Sequence, residues 1–532
     1  MKRSSVVTCG ALSALALAPC ILLACSDHVP AGVQPPSPPA LHVENTPVGP
    51  IPTVVPPPPR VIYETSFATT PSLFASKSTL EGIGLGYGIP DGSLGVIKIG
   101  TGYTFFGSGG AGAANCDGGC TEGVYTLEGS SLTTMVAPPP KVSAPLFGPG
   151  ALATAGATDW IFDRNYAGGG QVVSYEGTRF VIAGTEVHPE AYTGYIMPYH
   201  GEYQYGPTCN EVPCYYAGIG LAVSYDTGGT FTAAGQIVQP YPPVGYYDGD
   251  SATHQNVGNA YGSLVVADAS GHHLANPPPD PSSAYFYLFY QDVDPYAGTV
   301  PPGQTAVDSN PGICVYSCLA VARAPYESVV SALTPPTIDN GQIERIDPAT
   351  RAANVAALFT KYYAPASSGA TWTQPATSDA NEDEWSGQFT ALFGDTGAGM
   401  PSVIYDTVSS EYLMAFMTND LTAVQKFDDQ GICIRASTDL VHWTPASTPG
   451  SDPPCLAFYK TAPSGGTNFT EVYTSFIGDG VDPQTGGAAP RVFFQEFEAF
   501  DNDAGSNAFP KPWNEYNVGL ESIAVNVTRF AF

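Results

Sequence analysis

A three-strand pattern recurs along this chain, and the recurrence limits its fold more than any other feature. Each copy opens on a Gly- or Pro-containing turn, enters a Val-rich segment, turns into an aromatic segment, and ends in a strand that runs into a small polar turn. One copy joins Gly170–Val173, Arg179–Ile182 and Leu221–Asp226. A second joins Gly262–Val266, Tyr285–Tyr290 and Leu319–Ala324, and a third joins Pro401–Tyr405, Tyr412–Phe416 and Ile432–Ser437. Weaker copies cover Leu94–Met135 and Phe469–Val527, which makes five. The segments are almost continuously apolar, so both faces of each small sheet need cover. Stacking such sheets radially covers both faces, and the expected fold is therefore all-β, a five-bladed β-propeller. Arg60–Phe67 is expected to complete the last blade and close the ring. A string of β-sandwich domains is the alternative, but no linker-like change of composition follows Pro59. One helix is expected, over Arg351–Tyr363, where Ala and apolar residues recur at helical spacing.

Composition narrows the function classes. The chain has 532 residues, with 18 Lys and Arg against 48 Asp and Glu, a formal net charge of −30. So few scattered cations cannot neutralise a phosphate backbone, which excludes nucleic acid as a partner. The chain is rich in Gly, Pro, Tyr and Phe, unlike a helical bundle, and a 43% hydrophobic content supports a large core rather than disorder.

The first residues read as an export signal. Lys2 and Arg3 precede an apolar run from Val6 to Ala24. The run ends Leu22-Leu23-Ala24-Cys25, which resembles the bacterial lipobox, in which the Cys is lipidated and becomes the mature N-terminus. Ser26 after that Cys implies the outer membrane or cell surface. The expected organisation is a signal peptide over 1–24, a Pro-rich linker over 25–59 that favours extended polyproline conformation, and the propeller over 60–532. Membrane contact would be through the lipid alone, because no later apolar run is long enough to span a bilayer. A monomer is expected.

Eight cysteines remain beyond the lipobox, in close pairs: Cys116/Cys120, Cys209/Cys214, Cys314/Cys318 and Cys433/Cys455. An even, locally spaced set in an exported chain reads as four disulfides. No His stands at ligand spacing from them, so zinc is a poor reading. No cofactor is expected. Asp292/Asp294 and Asp501/Asp503 could offer oxygen to Ca²⁺, but neither stretch has a full EF-hand loop.

Two hairpins carry a family resemblance. Ser224-Tyr225-Asp226-Thr227-Gly228-Gly229-Thr230-Phe231 matches the Asp-box pattern, a turn in which Ser and Asp bond the backbone and the aromatic packs beneath. Ser437-Thr438-Asp439-Leu440-Val441-His442-Trp443 resembles a hairpin of the five-bladed glycoside hydrolases of the arabinanase/β-xylosidase and invertase/levansucrase group, and Val321–Glu327 is similar to the equivalent hairpin one unit earlier. Both motifs are turn structure, with Asp226 and Asp439 as turn residues and His442 at the surface. The sialidase Phe-Arg-Ile-Pro motif, the Gly-x-Ser-x-Gly elbow, the His-Glu-x-x-His helix and the Walker loop are all missing from the sequence.

In that group three carboxylates converge on a central funnel, and the chemistry needs one ionised and one protonated at working pH. What the resemblance implies here is Asp91 as base, ahead of the first Val-rich strand, although its order is Pro-Asp rather than Asp-Pro. Asp163-Arg164 would orient the sugar through the bidentate guanidinium. Glu202, in Tyr199-His200-Gly201-Glu202-Tyr203, is the candidate general acid; His200 is two positions away on a strand and so shares its face. His254 and Asp395 are further substrate-binding candidates, while Glu382–Trp385 reads as a solvated loop. The expected function is a carbohydrate-active surface lipoprotein, a glycoside hydrolase using paired carboxylates on an oligosaccharide. The competing class is a non-catalytic propeller that binds glycans or protein partners.

Overall fold

The computed structural model divides the chain into two units, Met1–Pro58 and Pro59–Phe532, and every residue it describes belongs to the second. The described stretches are 61–83, 92–109, 123–136, 164–167, 172–177, 192–209, 212–224, 228–229, 231–238, 257–293, 318–333, 358–363, 398–418, 431–445, 469–498 and 519–531, with short pieces between them. Outside them lie the signal, the linker, Cys25, Cys116, Cys120, Cys314 and the acidic run at 382–384.

Among the described residues strands dominate, and their larger antiparallel groups are numbered I to V in chain order. Sheet I is a meander of Gly95–Ile99, Gly102–Gly109, Gly123–Ser131 and Thr134–Met135. Sheet II contains Val173–Gly177, Tyr192–Cys209, Val212–Ser224 and Thr232–Val238. In sheet III, Val257–Asp268, Ala284–Val293, Cys318–Pro325 and Thr360–Tyr363 are paired in turn. Sheet IV contains Gly399–Asp406, Glu411–Thr418, Gly431–Ser437 and Thr444–Pro445. Sheet V contains Phe469–Ile477, Arg491–Glu498 and Gly519–Ala531, and its outer strand is Val61–Phe67 from the start of the body. The last pairing runs in register from Val61↔Ala531 to Phe67↔Val525, so the two ends of the body share one sheet.

Alternate residues of each inner strand point to opposite faces, and each face meets a neighbouring sheet. Val96 packs with Phe493 and Ile477 of sheet V, whereas Ile97 packs with Val172 and Met197 of sheet II. Leu264 and Val266 join the cluster between sheets II and III, while Val265 joins Val403 and Phe416 between III and IV. Ile404 packs with Phe476 and Phe494 between IV and V. Each sheet is thus packed on the next, and the fifth is packed on the first. This is a β-propeller. The unbroken apolar runs follow from it, because both faces of an inner strand are packed against neighbouring sheets over most of its length.

Sheets II and III are also joined by a parallel bridge, Tyr216↔Val257 and Ala217↔Gly258. Gly258 has φ +114, and a Cβ there would lie 2.1 Å from the Ala217 carbonyl oxygen, so only glycine permits that approach.

The helix expected over Arg351–Tyr363 is met at Val355, which is helical, but not at the C-terminal end of that stretch. Within 351–363 the described C-terminal part is the strand Thr360–Tyr363, held by Ala322↔Lys361 and Arg323↔Thr360; β-branched and aromatic side chains at an open sheet edge gain a ladder there. The stretch 321–327 is likewise no hairpin: its strand ends at Pro325 and passes into helix α2, Tyr326–Leu333. Helix α2 buries Tyr326, Val329 and Leu333, a single helical face, with Tyr326 stacked 4.6 Å from Phe286. Helix α1, Lys77–Ile83, precedes sheet I.

Candidate functional site at the propeller axis

Three successive inner strands carry the same irregularity. Pairing slips between Ala260 and Ser263 in sheet III, between Gly399 and Ser402 in sheet IV, and between Val472 and Ser475 in sheet V. Each bulge holds a large residue in the left-handed backbone region: Tyr261 (φ 54), Met400 (φ 51) and Tyr473 (φ 59). Bulges of this kind re-aim a side chain, and left-handed non-glycine residues are costly enough to gather at functional sites. Here the three residues meet. The Tyr261 and Tyr473 rings lie 6.0 Å apart although sheet IV separates their sheets in the ring, so they approach each other across the axis. Met400, from that intervening sheet, packs with both and with Met417, and its Sδ accepts the Tyr473 amide at 3.1 Å. Gln291 Oε1 accepts the Met400 amide at 3.2 Å.

A serine two residues further on clasps each sheet to the next. Ser263 Oγ accepts the Val403 amide at 3.1 Å, Ser402 Oγ accepts the Phe476 amide at 2.8 Å, and Ser475 Oγ accepts the Leu94 amide at 2.7 Å. These bonds run from sheet III to IV, IV to V and V to I. Aligning the serines exposes a short motif that the repeat search passed over: Tyr261-Gly262-Ser263-Leu264, Met400-Pro401-Ser402-Val403, Tyr473-Thr474-Ser475-Phe476. The first unit carries Asp91-Gly92-Ser93-Leu94, and the second Gly169-Gly170-Gln171-Val172. Ser93 is fully buried, with no hydrogen-bond partner for its hydroxyl among the described residues. In the motif Asp91 occupies the position of the three axis residues. Asp91 itself lies outside the described residues, as do Asp163, His254 and Asp395.

The other described candidates lie on sheet II. The short strand Arg164–Ala167 pairs with the long strand Tyr192–Cys209, so that Arg164 is the register partner of Glu202 and Tyr166 that of His200. His200 is buried, and its ring meets Tyr261 edge-on at 4.7 Å. The strand that carries Glu202 therefore reaches the wall formed by sheets III to V.

The two hairpin motifs are turns. Ser437 Oγ accepts the amides of Asp439 and Leu440, while Asp439 Oδ1 accepts those of Val441 and His442. Those bonds and the exposed His442, 2.6 Å away, hold the Asp439 carboxyl below its ordinary pKa against the opposing effect of burial. Trp443 is buried beneath and donates to the Leu440 carbonyl. At the other motif Ser224 Oγ accepts the Gly228 amide and Phe231 packs edge-on against Phe106, 5.2 Å away; Asp226 is outside the described residues. Cys433 and Cys455 form a disulfide across paired strands. Cys209, Cys214 and Cys318 occupy strand positions.

Among the described residues no three His, Cys, Asp or Glu gather as metal ligands. Asp292, raised above as a Ca²⁺ candidate, accepts the Asn259 amide at 2.9 Å and faces the buried Lys361, whose pKa burial lowers and Asp292 raises. Asp294, Asp501 and Asp503 lie outside the described residues. No described helix is long and apolar enough to cross a membrane. At the far end of the inner strands, burial raises the carboxyls of Asp406, Asp482 and Glu411, and Lys98 ties down the covering loop through the Gly480 carbonyl. His273 lies flat on Tyr405 there, 3.8 Å apart, and its pKa is lowered by burial.

No family model matches the chain, and no curated protein matches its sequence. Among solved structures it is similar to a family 117 glycoside hydrolase of the marine bacterium Zobellia galactanivorans, at 9% identity over 87% of this chain and 91% of that one, with a TM-score of 0.39. It is also similar to an endo-1,5-α-L-arabinanase from Thermotoga petrophila, at 11% identity over 86% and 72% with a TM-score of 0.36. A mutant α-L-arabinanase of Cellvibrio cellulosa matches at 9% identity over 78% and 89%, with a TM-score of 0.33. The propeller assignment stands on the ring of sheets and cores described above.

Proposed function

We propose that this protein is a glycoside hydrolase that works at the axis of a five-bladed propeller, anchored at the cell surface through a lipid on Cys25 and held off by the linker over 25–59. The observation that carries the reading is the shared motif position of Asp91 and the three axis residues, reached from sheet II by the strand that bears His200 and Glu202. In the proposed reaction Asp91 takes a proton from water, whose oxygen bonds to the anomeric carbon as the glycosidic C–O bond breaks. Glu202 gives its proton to the departing oxygen, and Asp163 and Arg164 hold the sugar. Carboxyls about 6.5–9.5 Å apart would make the reaction inverting. The register pairing of Arg164 with Glu202 on neighbouring strands supports a shared role for the two positions.

A non-catalytic glycan receptor is the second reading, favoured by the fact that the bulge positions of sheets III to V carry Tyr, Met and Tyr. The test is incubation of the full chain with a panel of oligosaccharides, with Glu202→Gln as control. Release of new reducing ends by wild type, lost in the variant, is the expected result. Binding without release by wild type overturns the hydrolase in favour of the receptor.

A further inference from the structure

We infer that Tyr261, Met400 and Tyr473 form a specificity wall at the axis, and that this wall selects an uncharged sugar by stacking on its C–H face. The inference rests on the glycan reading above and adds the class of sugar.

Backbone comes first. All three residues have positive φ, a region where a side chain is strained and glycine is not. If the bulges served only to end pairing or bend the strand, glycine would do so without strain. Large side chains stand there in all three sheets instead, so the bulges serve to present those side chains. The two tyrosines are only half-buried, with their rings tilted 53° to one another and Met400 packed against them from the intervening sheet. Two ring faces and a thioether make a surface suited to the apolar side of a sugar ring.

Charge sets the rest. Nothing in the wall is ionic: Met417 backs Met400, and the buried His200 backs Tyr261. The Met400 Sδ and amide are both engaged within the protein. Asp91 stands at the equivalent motif position of the first sheet, and the whole chain carries −30. A uronate or a sulfated sugar would bring a further negative charge into this acidic setting, whereas a neutral sugar would not.

The experiment is titration calorimetry of the full chain with neutral oligosaccharides and with matched uronate and sulfated ones, repeated on Tyr261→Gly, Tyr473→Gly and Tyr473→Phe. Glycine accepts the left-handed backbone, so these variants remove a ring without imposing strain, and thermal melting checks that they fold. The expected result is binding of the neutral panel, weakened roughly tenfold by either glycine variant and left within about twofold by Tyr473→Phe. Undiminished binding by folded glycine variants, or a preference for anionic sugars, overturns the wall while leaving the glycan reading intact. No binding of any sugar class overturns both.

Discussion

The serine clasps offer a direct way to perturb the joint between the last sheet and the first. Ser475 is 1% exposed, and its Oγ is 2.7 Å from the Leu94 amide, which is buried as well. Replacing Ser475 with Ala removes the acceptor and leaves that N–H sealed in apolar surroundings beside Phe493 and Val96. An orphaned buried donor costs about 1–3 kcal/mol. The weaker bond from Ser475 Oγ to the Tyr473 carbonyl, 3.4 Å long, is lost too, so the change also loosens the Tyr473 bulge. The ring should not open, because the seven register pairs from Val61 to Phe67 and the apolar cluster between sheets V and I remain. The readout is native-state amide exchange, where the same free energy speeds local opening at Leu94 roughly 5- to 150-fold. Ser402→Ala should act in the same way on Phe476, and Ser263→Ala on Val403. The effects should be site-specific, each variant exposing the amide that its own serine binds. Leu94 exchange within twofold of wild type in a folded Ser475→Ala protein would refute the clasp.

Two further perturbations test the packing elsewhere. The Asp406 carboxyl is raised by burial, so the folded chain holds its proton to a higher pH than the unfolded chain does. Stability therefore falls as pH rises through that window, and the penalty is fully present above it. Asp406→Asn keeps an acceptor for the Ser409 amide and hydroxyl, and the melting temperature should depend less on pH in the variant than in wild type; parallel profiles between pH 4 and 7 would contradict this. Arg323 lies 4.1 Å from the Trp372 ring and 4.7 Å from Tyr285, and it donates to the Ala269 carbonyl at 2.7 Å. Arg323→Lys keeps the charge but loses the planar stack, and should cost about 1 kcal/mol in denaturant unfolding, a loss that an unchanged midpoint would rule out.

Much of the architecture is legible in the residues because burial leaves a direct mark on composition. Runs such as Leu264–Ala267 and Val403–Ile404 are apolar at every position, and only a sheet covered on both faces accounts for that. The Ser437–Trp443 turn is equally readable, since its hydrogen bonds need Ser and Asp at fixed offsets. The axis wall is harder to see. Positive φ usually announces itself through Gly or Asn, and Tyr261, Met400 and Tyr473 give no such sign. Their shared position becomes visible only once the hydrogen bonds of Ser263, Ser402 and Ser475 set the register. Helix α2 was hidden for a different reason: it follows a strand with no intervening loop, so Pro325 and Tyr326 read as one turn. At 360–363, pairing with the open edge of sheet III outweighs the helical spacing of the preceding alanines.

The central claim is that Asp91 holds the axis position of the first sheet and activates water there. It is tested most directly by comparing turnover and binding of Asp91→Asn with wild type on whichever neutral oligosaccharide the wild-type chain cleaves. A general base contributes about 10²–10⁴-fold, so kcat should fall by that factor while Kd stays within a few-fold. Full activity in a folded Asp91→Asn protein would contradict the account.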